Sequence, residues 1–138
     1  MTALRLLPPL VWTGCIGWFS SDAWSAARTG SLLLPLLKQL LPWASPELLE
    51  TLHWLIRKLA HLLEYAILAG LWRRALAPSA GTPGWRAPFA LSVLTATLDE
   101  LRQATMLSRV ASAGDVLPAS AGAAMALVAL ARPRVTRP

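Results

Sequence analysis

Four long apolar stretches, separated by shorter polar segments, dominate the pattern of the chain. They cover about residues 4–21, 54–72, 87–107 and 113–131. A helix needs about 20 mainly apolar residues to cross the hydrocarbon core of a bilayer, which is about 30 Å thick. The pattern therefore predicts an all-α fold, an integral membrane bundle of four transmembrane helices, in a single domain over residues 1–138.

A fifth apolar segment, "SLLLPLLKQLLPW" at residues 31–43, lies between the first and second predicted spans. It is short for a span and is interrupted by Pro35, Lys38 and Pro42. We expect an extracytoplasmic segment that lies at the membrane interface or re-enters the bilayer, with a true span as the alternative.

The first stretch has a second interpretation, because small residues follow it at "AWSAAR", as they follow a cleaved signal peptide. Only Arg5 is basic before the apolar run, and Pro8 and Pro9 open that run. These features favour a retained helix over a cleaved one.

Composition supports a membrane protein. Of the 138 residues, 55% are hydrophobic and 14% are charged, with a mean hydropathy of +0.49, whereas soluble domains carry roughly 25% charged residues. The net charge of +6 is not gathered on one polar element, so it does not indicate a nucleic-acid partner. The single Cys15 excludes an internal disulfide.

The cations indicate an orientation, since cytoplasmic loops of membrane proteins are rich in Lys and Arg. Seven arginines lie at one set of span ends with no acidic residue among them: Arg5, Arg73, Arg74, Arg86, Arg132, Arg134 and Arg137. We therefore expect both termini and the "APSAGTPG" turn to be cytoplasmic, and the opposite ends of the spans to face outward.

Polar side chains cluster near those outward ends. They come from the second span, the third span and the loop that follows it: Arg57, Lys58, His61, Glu64 and Tyr65; Asp99, Glu100, Arg102 and Gln103; Arg109, Ser112 and Asp115. Residues three or four apart share a helix face, so the three groups are predicted to converge on one outward site. Four cations and four acids balance within it, and pairing lowers the cost of about 2.5–3.5 kcal/mol for a charge at mid-membrane. We expect Arg57, Lys58 or Arg109 to hold Asp99 or Glu100.

Each group also has a purely structural interpretation. Arg57 and Lys58 would anchor a helix end at lipid phosphates, His61 would be a hydrogen-bonded interior histidine, and Asp115 would cap the last helix. The small residues of that helix, in "ASAGAAMA", predict close helix packing.

These residues, in this order, resemble the VanZ-like family of small bacterial membrane proteins, over roughly residues 57–122. The resemblance rests on Lys58, His61, Glu64 and Tyr65, then Asp99, Glu100 and Gln103, then Arg109, Ser112, Asp115 and Gly122. This chain has Ala119, preceded by Pro118, where the family usually has an asparagine. The resemblance implies a four-helix, multi-pass protein of the bacterial cytoplasmic membrane, with a role in teicoplanin resistance for the founding member.

Three function classes are compatible with the pattern. An outward pocket with excess donors would bind the headgroup of an envelope lipid or lipid-linked precursor, because guanidinium groups suit phosphate. Alternatively, His61, Glu64, Asp99 and Asp115 would ligate a metal that activates water for lipid phosphoester hydrolysis. Transport or proton relay is the third class, and with four helices it would require an oligomer. Binding without a cofactor is the preferred hypothesis.

The predicted orientation has a direct test. Reporter fusions at residue 138 and in the loop near Lys38 should report opposite sides of the membrane, because seven acid-free cations favour one side for both termini. The same side for both fusions would contradict the four-span topology.

Overall fold

The structure, a computed structural model, describes residues 2–77, 84–105 and 116–131. These residues form five α-helices and one short 3-10 helix and contain no strand, so the predicted all-α class is confirmed. The elements are α1 (Thr2–Phe19), the 3-10 helix (Asp22–Trp24), α2 (Ala26–Leu40), α3 (Pro46–Ala75), α4 (Arg86–Ala104) and α5 (Val116–Ala131). Within the described ranges, no helix combines the length and the apolarity needed to cross a membrane.

Helices α1, α3, α4 and α5 overlap the four predicted apolar stretches, but their ends differ. Helix α1 begins at Thr2, so Pro8 and Pro9 lie inside the helix. Helix α3 begins at Pro46 rather than near residue 54. The sequence "SPE" explains this earlier start, because the Ser45 hydroxyl accepts a hydrogen bond from the Leu48 amide at 3.3 Å and proline suits the first helical turn.

The segment predicted to be interfacial is largely helical. Residues 31–40 belong to α2, which continues through Pro35. After its last turn, the Lys38 ammonium donates to the carbonyl oxygens of Pro42 at 3.1 Å and Ala44 at 2.9 Å, which ties the chain into the turn before α3. A cation in the last turn of a helix also interacts favourably with the helix dipole.

Helix α3 is the central element, and the other helices pack along it. The Arg5 guanidinium donates to the carbonyl of Ala77 at 3.5 Å, and the Trp12 indole donates to the carbonyl of Glu64 at 2.9 Å, so α1 runs antiparallel to α3. The core joins α1, α3, α4 and α5 through Ile16, Tyr65, Leu68, Ala96 and Ala119, all at most 1% exposed.

Helix α5 lies directly against the backbone of α3. A Cβ added at Gly122 would collide with the main-chain carbonyl of Leu62. Ala119 and Ala123 on the same face are 1% and 0% exposed. The small residues of the last helix therefore allow close packing, as the sequence predicted.

The contact at Gly122 predicts a strong effect of one methyl group. Gly122→Ala should lower the free energy of unfolding by about 1–3 kcal/mol or more, because the obstacle is backbone that cannot rotate away. Gly14→Ala in α1 is the matched control: nothing lies within 4 Å of its added Cβ, so helix propensity should raise stability by up to about 1 kcal/mol. Denaturant unfolding of the purified variants measures both, and equal stabilities would contradict the close approach.

Candidate functional site

The polar residues of α3 and α4 meet at one end of the bundle. Helices α3 and α4 are antiparallel, so the middle of α3 lies beside the last turns of α4. Arg57, Lys58, His61 and Glu64 thereby come close to Gln103. The described arginines of the acid-free group lie at the opposite end: Arg5, Arg73, Arg74 and Arg86.

A cavity of about 560 Å³ opens at this polar end. Its charged and polar lining includes five predicted site residues: Arg57, Lys58, His61, Glu64 and Gln103. Its apolar lining comes from α1, the 3-10 helix, α2 and α3: Phe19, Trp24, Ala26, Leu33, Trp54, Ile56 and Ala60. The cavity therefore combines a cationic and hydrogen-bonding wall with an aromatic one.

Arg57 connects three elements around the cavity. Its Nη1 donates to the Trp24 carbonyl at 3.1 Å and to the Thr29 hydroxyl at 2.9 Å. Thr29 also lies 3.2 Å from Nε2 of His53, which is 6% exposed. The guanidinium thus helps to hold the 3-10 helix and α2 against α3, in addition to lining the cavity.

Sequence reasoning did not identify Thr29 and His53. Neither residue lies in a charged cluster, and 24 positions separate them. Their proximity depends on the docking of α2, where Gly30 lets the helix approach the His53 ring: a Cβ at Gly30 would lie 3.3 Å from its Cε1. A second cavity, of about 700 Å³, lies between α2 and α3 beside this contact.

His61 and Glu64 form a pair on consecutive turns of α3. Nδ1 of His61 lies 3.5 Å from a carboxylate oxygen of Glu64, and both side chains are less than one fifth exposed. The His61 ring contacts the Tyr65 ring edge to face, with centroids 5.0 Å apart. Nε2 of His61 is buried and has no hydrogen-bond partner.

Asp99 is held by its own helix. One carboxylate oxygen accepts from Arg102 at 2.9 Å and the other from Gln103 at 2.8 Å. Arg102 also donates to the Gly17 carbonyl at 3.2 Å, which joins α4 to the end of α1. Among the described residues, the partners of Asp99 are therefore neighbours three and four positions along its own helix, which already lie within reach. Arg109, one of the three expected partners, lies outside the described residues.

Glu100 and Lys58 interact electrostatically between α4 and α3. Glu100 is 7% exposed, whereas Lys58 also lies 5.6 Å from the centre of the Trp54 ring. Lys58 therefore interacts with Glu100 in the interior of the bundle and with the Trp54 ring in the cavity lining.

Tyr65, another predicted site residue, lies next to His61. It is completely buried in the core with Ile16 and Leu68, and it does not line the cavity. Its hydroxyl has no hydrogen-bond partner. Three further predicted site residues, Arg109, Ser112 and Asp115, lie outside the described residues.

Within residues 2–77, 84–105 and 116–131, no three His, Cys, Asp or Glu side chains are placed to hold a metal ion. Asp115, one of the four ligands considered for a metal, is not among these residues. Comparison of the chain with models of protein families, with curated proteins and with solved structures finds no match.

The Asp99 contacts predict a stability effect. In Asp99→Asn, the amide NH₂ must face one of two donors, Arg102 or Gln103, so one hydrogen bond becomes a repulsive contact. The free energy of unfolding should fall by about 1–3 kcal/mol, the cost of an unsatisfied buried polar group. Glu50→Gln makes the same chemical change at a side chain that is 65% exposed and should have an effect below about 0.5 kcal/mol. Comparable losses in the two variants would show that the Asp99 carboxylate is not specifically held.

Proposed function

We propose that the chain is a multi-pass protein of the bacterial cytoplasmic membrane whose cavity binds the anionic headgroup of an envelope lipid or lipid-linked precursor. The cavity carries this proposal: Arg57 and Lys58 outnumber Glu64 among its charged lining residues, and Trp24 and Trp54 line the same space. Guanidinium and ammonium groups bind phosphate, whereas an aromatic wall suits the junction between a headgroup and its acyl chains.

The exterior of the bundle supports a lipid environment. Helix α4 buries Asp99, Glu100 and Gln103 but exposes Leu94, Leu98 and Leu101 by 54–60%. This pattern is the reverse of the usual arrangement in a water-soluble protein, where charged side chains are rarely buried. The acids that interrupt the apolar sequence of α4 thus face inward, as intramembrane charges usually do.

Apolar exposure continues on the other helices. Side chains exposed by more than half include Leu4, Leu7, Leu10, Val11, Trp18, Trp54, Leu59, Leu63, Leu117, Met125 and Val128. They come from α1, α3 and α5, so large apolar side chains are exposed on several helices of the bundle. Acyl chains are the partner that fits an apolar surface distributed over several helices.

The two ends of the bundle support the predicted orientation. Arg5, Arg73, Arg74 and Arg86 lie away from the cavity, and no described acidic residue lies near them. Under the positive-inside rule the arginine end is cytoplasmic, and the cavity opens on the outer side. A cavity on that side has access to envelope precursors.

The resemblance to the VanZ-like family narrows the proposed setting. We place the protein in the cell envelope, where retention of a lipid-linked precursor headgroup would contribute to glycopeptide resistance, including resistance to teicoplanin. Oligomerisation is compatible with this function but is not required for a binding cavity. Metal-assisted hydrolysis and transport have no specific support among the described residues, so binding is the preferred function.

Lipid binding provides the test. In detergent solution, the purified protein should bind short-chain phosphatidic acid or phosphatidylglycerol more tightly than phosphatidylcholine, because the cavity carries excess positive charge. Lys58→Gln should weaken binding of the anionic lipids about tenfold, the equivalent of about 1.4 kcal/mol. This variant leaves the bonds from Arg57 to Trp24 and Thr29 in place. Microscale thermophoresis measures the affinity of the protein for each of the three lipids.

Arg86→Gln is the matched control, since it also removes one positive charge but lies at the other end of the bundle. Its affinities for the three lipids should remain within about twofold of those of the unmodified protein. The proposed function is wrong if phosphatidylcholine binds as tightly as the anionic lipids, or if Arg86→Gln weakens binding as much as Lys58→Gln does.

A further inference from the structure

The second cavity, between α2 and α3, adjoins the first cavity, to which the proposed function is assigned. Its volume is about 700 Å³, and the two cavities share three lining residues, Ala26, Trp54 and Arg57. The guanidinium of Arg57 is held between them by its bonds to Trp24 and Thr29. A ligand whose phosphate binds Arg57 would therefore have room on both sides of that phosphate.

The wall that α3 contributes to the second cavity carries opposite charges at its two ends. Glu50 lines this cavity, and its side chain is 65% exposed, so the carboxylate is open to a ligand. Arg57 follows about two helical turns later, roughly 10 Å along the axis. The buried His53 lies between them and forms part of the wall. A ligand along this wall would place a positive group at Glu50 and a negative group at Arg57.

Ser31 adds a hydrogen-bond acceptor on the α2 side of the same cavity. It is exposed, and its hydroxyl donates to the Arg28 carbonyl at 2.8 Å, so the oxygen is left to accept. The Glu50 carboxylate is also an acceptor. A primary ammonium has three N–H donors for such groups, whereas a quaternary ammonium has the same charge and no N–H. The acceptors therefore favour a primary ammonium.

We propose that the second cavity binds the primary ammonium of a ligand whose phosphate binds Arg57, with Glu50 as the group that recognises the ammonium. This inference rests on the proposed function and specifies its ligand: a headgroup in which a short linker joins a phosphate to a primary amine. Trp54 lines both cavities, is 56% exposed and lies between Glu50 and Arg57 in the sequence. Its ring offers apolar surface to the carbon atoms of the linker.

Lys58 determines the direction of the headgroup. It lines the first cavity and does not line the second. A phosphate near Arg57 is attracted by Lys58, whereas an ammonium in the first cavity would be repelled by both cations. The arrangement with the ammonium on the Glu50 side of Arg57 is therefore the favoured one.

The experiment compares lipids that differ at the ammonium. Dioctanoyl phosphatidylethanolamine and dioctanoyl phosphatidylcholine have the same phosphate and the same net charge, but only the former has N–H groups. Dioctanoyl phosphatidylglycerol is the anionic lipid without an amine, and glycerophosphoethanolamine is a soluble source of the same headgroup. Microscale thermophoresis measures the affinity of the full chain for each of these four probes in detergent solution.

We expect phosphatidylethanolamine to bind at least about fivefold more tightly than phosphatidylcholine. Glu50→Gln should weaken phosphatidylethanolamine binding about fivefold, as expected for a partly exposed ion pair, and should change the affinities for the other two lipids less than about twofold. A structural effect of the substitution would instead lower the affinities for all three lipids together. Glu47→Gln is the matched control, because it makes the same change in the first turn of α3 at a residue that lines neither cavity; it should retain the preference.

The outcomes separate the two proposals. Equal affinity for phosphatidylethanolamine and phosphatidylcholine, with phosphatidylglycerol above both, overturns the ammonium site and leaves the proposed function standing. An equal loss of the preference in Glu47→Gln and Glu50→Gln also overturns the ammonium site. Phosphatidylglycerol that binds no more tightly than phosphatidylcholine overturns the proposed function and, with it, this inference. Glycerophosphoethanolamine that binds as tightly as phosphatidylethanolamine supports the ammonium site but contradicts a lipid ligand.

Discussion

The Asp99 carboxylate imposes the main constraint on the polar end of the bundle. Because it is buried, each of its oxygens needs a donor, and the structure supplies Arg102 to one and Gln103 to the other. These contacts have two further consequences. Arg102 also reaches the Gly17 carbonyl and joins α4 to α1, while Gln103 is held where it lines the cavity. The side chains that hold Asp99 thus also join α4 to α1 and position one residue of the cavity lining.

Around that constraint, the cationic side chains of α3 have structural as well as binding roles. Arg57 joins the 3-10 helix and α2 to α3, whereas Lys58 faces Glu100 on one side and the Trp54 ring on the other. A ligand in the cavity would therefore meet cations whose positions are already fixed by neighbouring groups. Such preorganisation reduces the entropy that is lost when the ligand binds.

Helix α5 packs closely on α3, and none of its described residues lines the cavity. Gly122 places α5 against the Leu62 carbonyl, directly after His61 in the sequence, and Ala119 and Ala123 extend the contact. With α5 against this face of α3, the remaining space at the polar end lies between α1, α2 and α3, where the cavity opens. Apolar side chains then cover the exterior of α1, α4 and α5, which is the basis for proposing a lipid environment.

Sequence patterns predicted the features that depend on neighbouring residues along the chain. The apolar stretches indicated the helices, "ASAGAAMA" indicated close packing, and the spacing of Arg57, His61 and Glu64 indicated a shared face. The start of α3 was missed because the cap at Ser45 lies before the apolar run that defined the prediction. Helix periodicity reports which residues share a face, and that information is local.

Only the tertiary structure decided which groups meet across the bundle. Tyr65 and His61 share nearly the same helix face, yet packing against Ile16 and Ala96 buries the tyrosine while the histidine lines the cavity. Asp99 likewise had several cations of suitable charge, and among the described residues it pairs with Arg102 of its own helix. Thr29 and His53 meet because α2 docks on α3. Charge and periodicity determine which contacts are favourable, whereas helix rotation and distance determine which of them form.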